Sequence, residues 1–126
     1  MAMSLIEVKI IFEIGKKLVL NGILKKSLAP LTIKRLLMNT PYSTRCYFFG
    51  SKVVYLPINL TTGEEKSTYE LKRGDIFYWI TGKSIGVALD DIRFPQRVNL
   101  LGKLLGPVEE WARVKRGTEV IIRLEE

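Results

Sequence analysis

The sequence predicts a mainly β protein, a closed eight-stranded antiparallel barrel with two short helices. Three observations predict it. Apolar and polar residues alternate with a period of two in stretch after stretch. Only two stretches show helical features. No strand–helix–strand rhythm of a parallel sheet runs through the chain. A barrel of about eight strands has an interior just wide enough for side chains to fill. The many inward Ile, Val and Leu positions favour filling, so a site is expected at a rim or in a surface groove.

Taken in order, Leu5 to Ile14 places Ile6, Val8, Ile10, Phe12 and Ile14 on one face. Glu7, Lys9, Ile11 and Glu13 take the other face, which is the pattern of a half-buried strand. Gly15-Lys16 turns the chain into a second strand, Lys17 to Gly22, with Leu18 and Leu20 inward. From Ser27 the period becomes helical, with Leu28, Leu31, Ile33, Leu36 and Leu37 as the apolar positions. Ser27 is the expected cap, Pro30 is tolerated in the first turn, and Asn39-Thr40-Pro41 ends the helix. Ser43 to Phe49 and Lys52 to Ile58 read as strands joined by Gly50-Ser51, with Pro57 at a strand end. Asn59 to Lys66 is polar and contains Gly63, so it is the segment expected to move most. Glu70 to Arg73 leads into a Gly74-Asp75 turn, and Ile76 to Ile80 is a strand with three consecutive aromatics. Gly82-Lys83 turns the chain into the strand Ser84 to Leu89. Asp90 to Gln96 reads as a polar connection. Val98 to Leu105 is apolar on both faces apart from Asn99 and Lys103, which implies a covered strand or a second subunit, a homodimer. Pro107 opens the second helix, with Glu109 and Glu110 at the positive end of its dipole and Gly117 closing it. Thr118 to Glu125 is the last strand, with Val120, Ile122 and Leu124 inward.

Composition excludes several kinds of chemistry. The 126 residues read as one domain, 1–126, with 47% hydrophobic and 26% charged residues, an ordinary globular balance. No apolar run approaches the roughly 18 residues of a membrane span, so no membrane partner is expected. The N-terminal stretch has no leader-peptide pattern. The lone Cys46 fits a reducing cytoplasm and reads as a small core residue. The sequence contains no histidine, which excludes Ser-His and Cys-His nucleophile pairs and imidazole metal ligands. No cofactor or metal is expected. Asp90-Asp91 supplies too few ligands for a hard cation and reads as a solvated turn. Thr81-Gly82-Lys83-Ser84 imitates the end of a phosphate-binding loop, but Phe77 stands where the first glycine belongs and a strand follows where a helix is needed.

The net charge of +7 sits wholly in residues 1–60, which carry nine Lys and Arg against two Glu. Residues 61–126 carry eleven of each sign. A solvated basic face accounts for this, and RNA or another polyanion is the competing reading.

Gly74-Asp75 followed by Tyr78-Trp79 and Gly82, then Val98-Asn99 with Gly102-Lys103, then a helix and Gly117-Thr118-Glu119-Val120 carry a resemblance. Ile11-Phe12-Glu13 and Val54-Tyr55-Leu56-Pro57 fit the same order of elements. Over roughly residues 5–124 the chain resembles the prokaryotic cyclophilin-like domain proteins. The resemblance implies a small eight-stranded barrel of the cyclophilin fold with two flanking helices and no assigned activity. The chain departs from the family pattern at Ile80-Thr81, where two prolines are usual. It departs again at Val87-Ala88-Leu89-Asp90, where an aromatic-rich strand ending in glycine is usual.

The candidate site is an aromatic rim. Phe77 and Trp79 share one face of their strand and Tyr78 takes the other, so one side belongs to the core. Tyr78 or Trp79 with Tyr47, Phe49 and Tyr55 would form the wall, and Arg45 or Lys83 would supply charge. Such a wall suits a small anionic molecule or a short peptide bound without catalysis. The alternatives are peptidyl-prolyl isomerisation, which the fold resemblance suggests, and polyanion binding through the basic N-terminal half.

Overall fold

The computed structural model describes residues 6–126. The readings made at residues 1–5, a strand start at Leu5 and a start without a leader pattern, lie outside these residues. The elements are β1 (Glu7–Ile14), β2 (Leu18–Lys25), α1 (Pro30–Asn39), β3 (Tyr42–Arg45), β4 (Tyr47–Phe49), β5 (Val53–Pro57), β6 (Thr68–Leu71), β7 (Asp75–Trp79), β8 (Ser84–Ala88), β9 (Ile92–Leu105), α2 (Glu109–Ala112) and β10 (Glu119–Glu125). Over the described residues the protein is mainly β, with two short helices and one antiparallel sheet, as the alternation predicts.

The expected closed eight-stranded barrel needs correcting on two counts. Among the described residues ten strands form the sheet, in the order β3-β10-β1-β2-β9-β7-β8-β5-β4, with β6 paired to β9 off this path. No ladder joins β3 to β4, so hydrogen bonds do not close the sheet among the described residues. The two end strands are nevertheless successive halves of one segment, interrupted only at Cys46. β3 pairs with β10 and β4 pairs with β5. Cys46 bridges the change of partner, its N–H donating to Thr118 O at 3.0 Å and its carbonyl accepting from Gly117 N at 2.7 Å. Chain continuity therefore stands where a closing ladder was expected.

Inside the rolled sheet, Val8, Ile10 and Phe12 from β1 meet Val54, Leu56, Ile76, Tyr78, Ile85, Val87, Val120 and Ile122 from the other strands. Trp111 of α2 enters this core with its ring edge-on to Phe12, centroids 5.4 Å apart. Cys46 is fully buried, and burial pushes its thiol up despite nearby backbone donors.

A second, smaller cluster lies on the outside of the same sheet. Val53, Leu71, Phe77, Ala88, Phe94 and Val98 form it, with Trp79, Ile92 and Leu100 packed against them. The cause is β9, which is longer than the sequence pattern indicated. Its first half, expected as a polar connection, pairs with the unexpected strand β6 and swings Phe94 over the outer face. β8 is consequently buried along its whole length, with the main core on one side and the outer cluster on the other.

The Asn59–Lys66 segment, expected to be mobile, is tied down. Buried Asn99 accepts from Glu65 N at 2.8 Å and donates to Gly63 O at 2.9 Å. Glu65 in turn caps α1 from outside the helix, accepting from Leu31 N at 2.9 Å and Thr32 N at 2.8 Å. Ser27 is not the cap. The helix begins after Ala29, which offers no side-chain acceptor. A distant carboxylate thus meets the N–H groups that the local sequence leaves free.

Candidate functional site

Four of the seven candidate rim residues come together on the outer face. Tyr47 and Tyr55 stand opposite each other in the β4–β5 ladder, ring centroids 5.8 Å apart. Tyr55 meets Trp79 edge-to-face at 5.4 Å and 89°. Phe49 completes the group, 6.5 Å from Trp79. Beneath them Phe94 packs on Phe49 at 5.1 Å and on Trp79 at 5.3 Å. The period-two logic explains the grouping, because odd-numbered residues of β4, β5 and β7 all point outward.

Two glycines make the rings fit. A Cβ on Gly86 would sit 2.3 Å from the Phe77 ring, and one on Gly82 would sit 2.3 Å from the Trp79 indole. The rings therefore lie in notches that any other residue would fill. Phe77 and Phe94 are buried, whereas Tyr47, Tyr55 and Trp79 are half-buried and Phe49 is 39% exposed.

Tyr78 does not belong to this face. It is 0% exposed in the main core, and its hydroxyl donates to the Leu60 carbonyl. Burial pushes its phenol pKa up. Alternation along β7 sends its side chain through the opposite side of the sheet from Trp79, which corrects its assignment to the rim.

The cations are placed at the ends of the aromatic row. Arg45 shares the outward parity of Tyr47 and Phe49, and its guanidinium donates to Gly117 O at 2.8 Å. Lys83 is exposed in the β7–β8 turn, next to the glycine that carries the Trp79 indole. Its φ of 47° lies in the left-handed region that costs a side-chain-bearing residue roughly 1 kcal/mol. Lys83→Gly is therefore expected to raise the urea unfolding midpoint, by at most about 1 kcal/mol in stability after glycine's larger unfolded-state entropy is subtracted. A lowered midpoint would mean that the lysine side chain makes stabilising contacts outweighing the strain.

Three contributors do not stand out in the sequence pattern. Gln96 accepts from Trp79 Nε1 at 2.5 Å and from Thr81 Oγ1 at 2.6 Å, which fixes the indole. Arg116 lies over Tyr47 at 5.9 Å. Phe94 forms the floor. The alternation of Phe94, Gln96 and Val98 against Arg93 and Arg97 was the available signal, masked by Pro95 and the flanking charges.

Two hollows lie away from the outer aromatic face. One of about 490 Å³ runs beside α1, lined by Leu31, Lys34, Arg35 and Met38. Another of about 490 Å³ lies over the β2–β9 junction, lined by Ile23, Leu100 and Leu105. Among the described residues, no cluster of His, Cys, Asp and Glu could hold a metal ion, and no helix is long and apolar enough to cross a membrane.

The family model described as Cyclophilin-like matches residues 6–123. Comparison with curated proteins finds no significant sequence match. Among solved structures, the hypothetical protein AF2241 from Archaeoglobus fulgidus is similar, with a TM-score of 0.79 at 23% identity over 94% of this chain and 95% of that one. McbB, solved in complex with tryptophan, is similar with a TM-score of 0.75 at 14% identity. The match covers 90% of this chain but only 44% of McbB. At these identities the likeness is one of fold.

Proposed function

The chain belongs to the Cyclophilin-like family, and we propose that it is a non-enzymatic member that binds a small molecule or short peptide on the outer aromatic face. The observation carrying this reading is the half-exposed group of Tyr47, Phe49, Tyr55 and Trp79, buttressed from below by Phe94. Such rings have large contact area and little rotamer freedom to lose, and a floor that holds them in place lowers the cost of binding further. McbB, of which the match spans 44%, was solved in complex with tryptophan, an aromatic small molecule. The non-enzymatic part rests on chemistry: histidine is absent, and the one thiol is buried with its pKa raised. The reading takes residues 1–126 as one domain in a reducing cytoplasm.

Native mass spectrometry of freshly purified protein tests it. The expected result is an adduct or an added ligand retained by the wild type and lost by Tyr55→Ser, whose half-buried ring can be removed without opening the main core. Equal retention by Tyr55→Ser, with its thermal transition intact, would remove this face from consideration. Prolyl isomerisation is separated by peptide cis/trans exchange, which is expected to proceed at the uncatalysed rate.

A further inference from the structure

We propose that the ligand of this face is a free small anion built on a planar aromatic ring, an inference that rests on the aromatic face being the binding face. Three cations stand about the rings. Arg45 and Arg116 stand at the β4 end and Lys83 at the Trp79 end. Among the described residues, none of the three lies within salt-bridge distance of a carboxylate. Lys26, Arg73, Arg93, Arg97, Lys103 and Arg123 are paired in that way, so these three belong to the fourteen Lys and Arg that are not.

Gln96 adds a fourth donor by elimination. Its Oε1 accepts from both Trp79 Nε1 and Thr81 Oγ1, and the indole N–H can only donate, so the amide oxygen must face it. The amide orientation is therefore fixed, and its Nε2 hydrogens are turned away from both donors. With a guanidinium over Tyr47, an amide N–H beside Trp79 and an exposed lysine in the adjoining turn, a ligand that brings acceptors is favoured, and a negative charge satisfies them best.

The positive track is short, which separates a small anion from a nucleic-acid strand. Glu119 stands opposite Arg45 in the β3–β10 ladder, and Asp90-Asp91 follow β8. A strand needs a basic groove that follows its backbone for several nucleotides. Here the cations bracket one aromatic row and stop.

The chain has two tryptophans, Trp79 at the rim and Trp111 fully buried, so two indole N–H signals report in a ¹H–¹⁵N spectrum. The probes are matched pairs with one ring and differing charge, phenylacetate against phenylacetamide and adenosine monophosphate against adenosine. The expected result is movement of the Trp79 signal while that of Trp111 stays in place. Each anion should bind on the order of fivefold more tightly than its neutral partner. Arg116→Ala should bring that ratio close to unity, whereas Lys34→Ala on α1 should leave it unchanged. Equal affinity within each pair overturns the anion inference and leaves the aromatic face standing as a binding face. Failure of all four probes to move the Trp79 signal, together with absence of a Tyr55-dependent adduct, removes the face itself. A short single-stranded oligonucleotide binding far more tightly than the mononucleotide, with steep salt dependence, overturns the free-molecule assignment.

Discussion

Gly102→Ala is expected to destabilise the protein by about 3 kcal/mol or more, the largest effect of any added methyl group in the chain. A Cβ at this position would lie 1.9 Å from the Ile23 carbonyl oxygen and 2.8 Å from Leu24 Cα. Both obstacles are backbone, so no side chain can rotate aside. Gly102 also sits where β9 pairs on one side with Leu24 of β2 and on the other with Ile76 of β7. The β2–β9 ladder is the hydrogen-bonded joint between the β3-β10-β1-β2 half of the sheet and the half that carries the aromatic rim. Forcing β2 away from β9 therefore loosens the two halves together. Gly63→Ala is the control, since a Cβ there meets nothing within 4 Å and its effect should stay within about 0.5 kcal/mol. Urea unfolding of the two variants decides the matter. A Gly102→Ala midpoint close to wild type would mean that β2 and β9 do not approach this closely.

Asn99→Leu is expected to cost about 2–3 kcal/mol, because an apolar side chain of similar size leaves buried partners without hydrogen bonds. The residue is fully buried and serves Glu65 N, Gly63 O and, at 3.3 Å, Thr32 Oγ1. Losing it also frees the segment that carries Glu65, so the remote cap of α1 weakens with it. The pH dependence gives a second reading of the same contact. Burial alone would raise the Glu65 pKa, but the Leu31 N–H, the Thr32 hydroxyl, the Thr32 N–H and the Arg35 charge together outweigh it. The folded carboxyl is held below the ordinary value of 4.5. Its contribution to stability is therefore complete above that value and is lost as pH falls through the lower folded value. Urea midpoints of wild type and Glu65→Gln should differ by a constant amount at neutral pH and converge in acid. A gap that widens on acidification would contradict the capping role.

The strand alternation, the first hairpin, the two helices and the Gly-Asp-x-x-Tyr-Trp segment were legible because each is a local pattern with one period. The missed features all depend on partners far along the chain. Thr68–Leu71 is only four residues among polar neighbours, and it becomes a strand because β9 offers it an edge. Asp90 to Gln96 resembled a connection because Pro95 and three charges obscured the alternation of Phe94, Gln96 and Val98. Pro95 falls in the stretch of β9 where the β6 register is interrupted, so no ladder bond is denied there. Closure was misjudged at Cys46, since nothing local reveals that a strand changes partner halfway. At the site, the odd-numbered aromatics of β4, β5 and β7 were identifiable from parity. Tyr78 was misplaced against that same parity. Arg116 could not be found, because only the fold brings it over Tyr47.

The central claim is that ligands meet this protein on the outer face of β4, β5 and β7. Mapping backbone amide shifts across the whole chain, during titration with a mixture of small aromatic acids, tests it most directly. Shifts are expected to cluster at residues 45–49, 53–55 and 79–86, with Gln96 and Arg116 among them. Shifts clustered instead along α1 or over the β2–β9 junction, where hollows of about 490 Å³ lie, would contradict it.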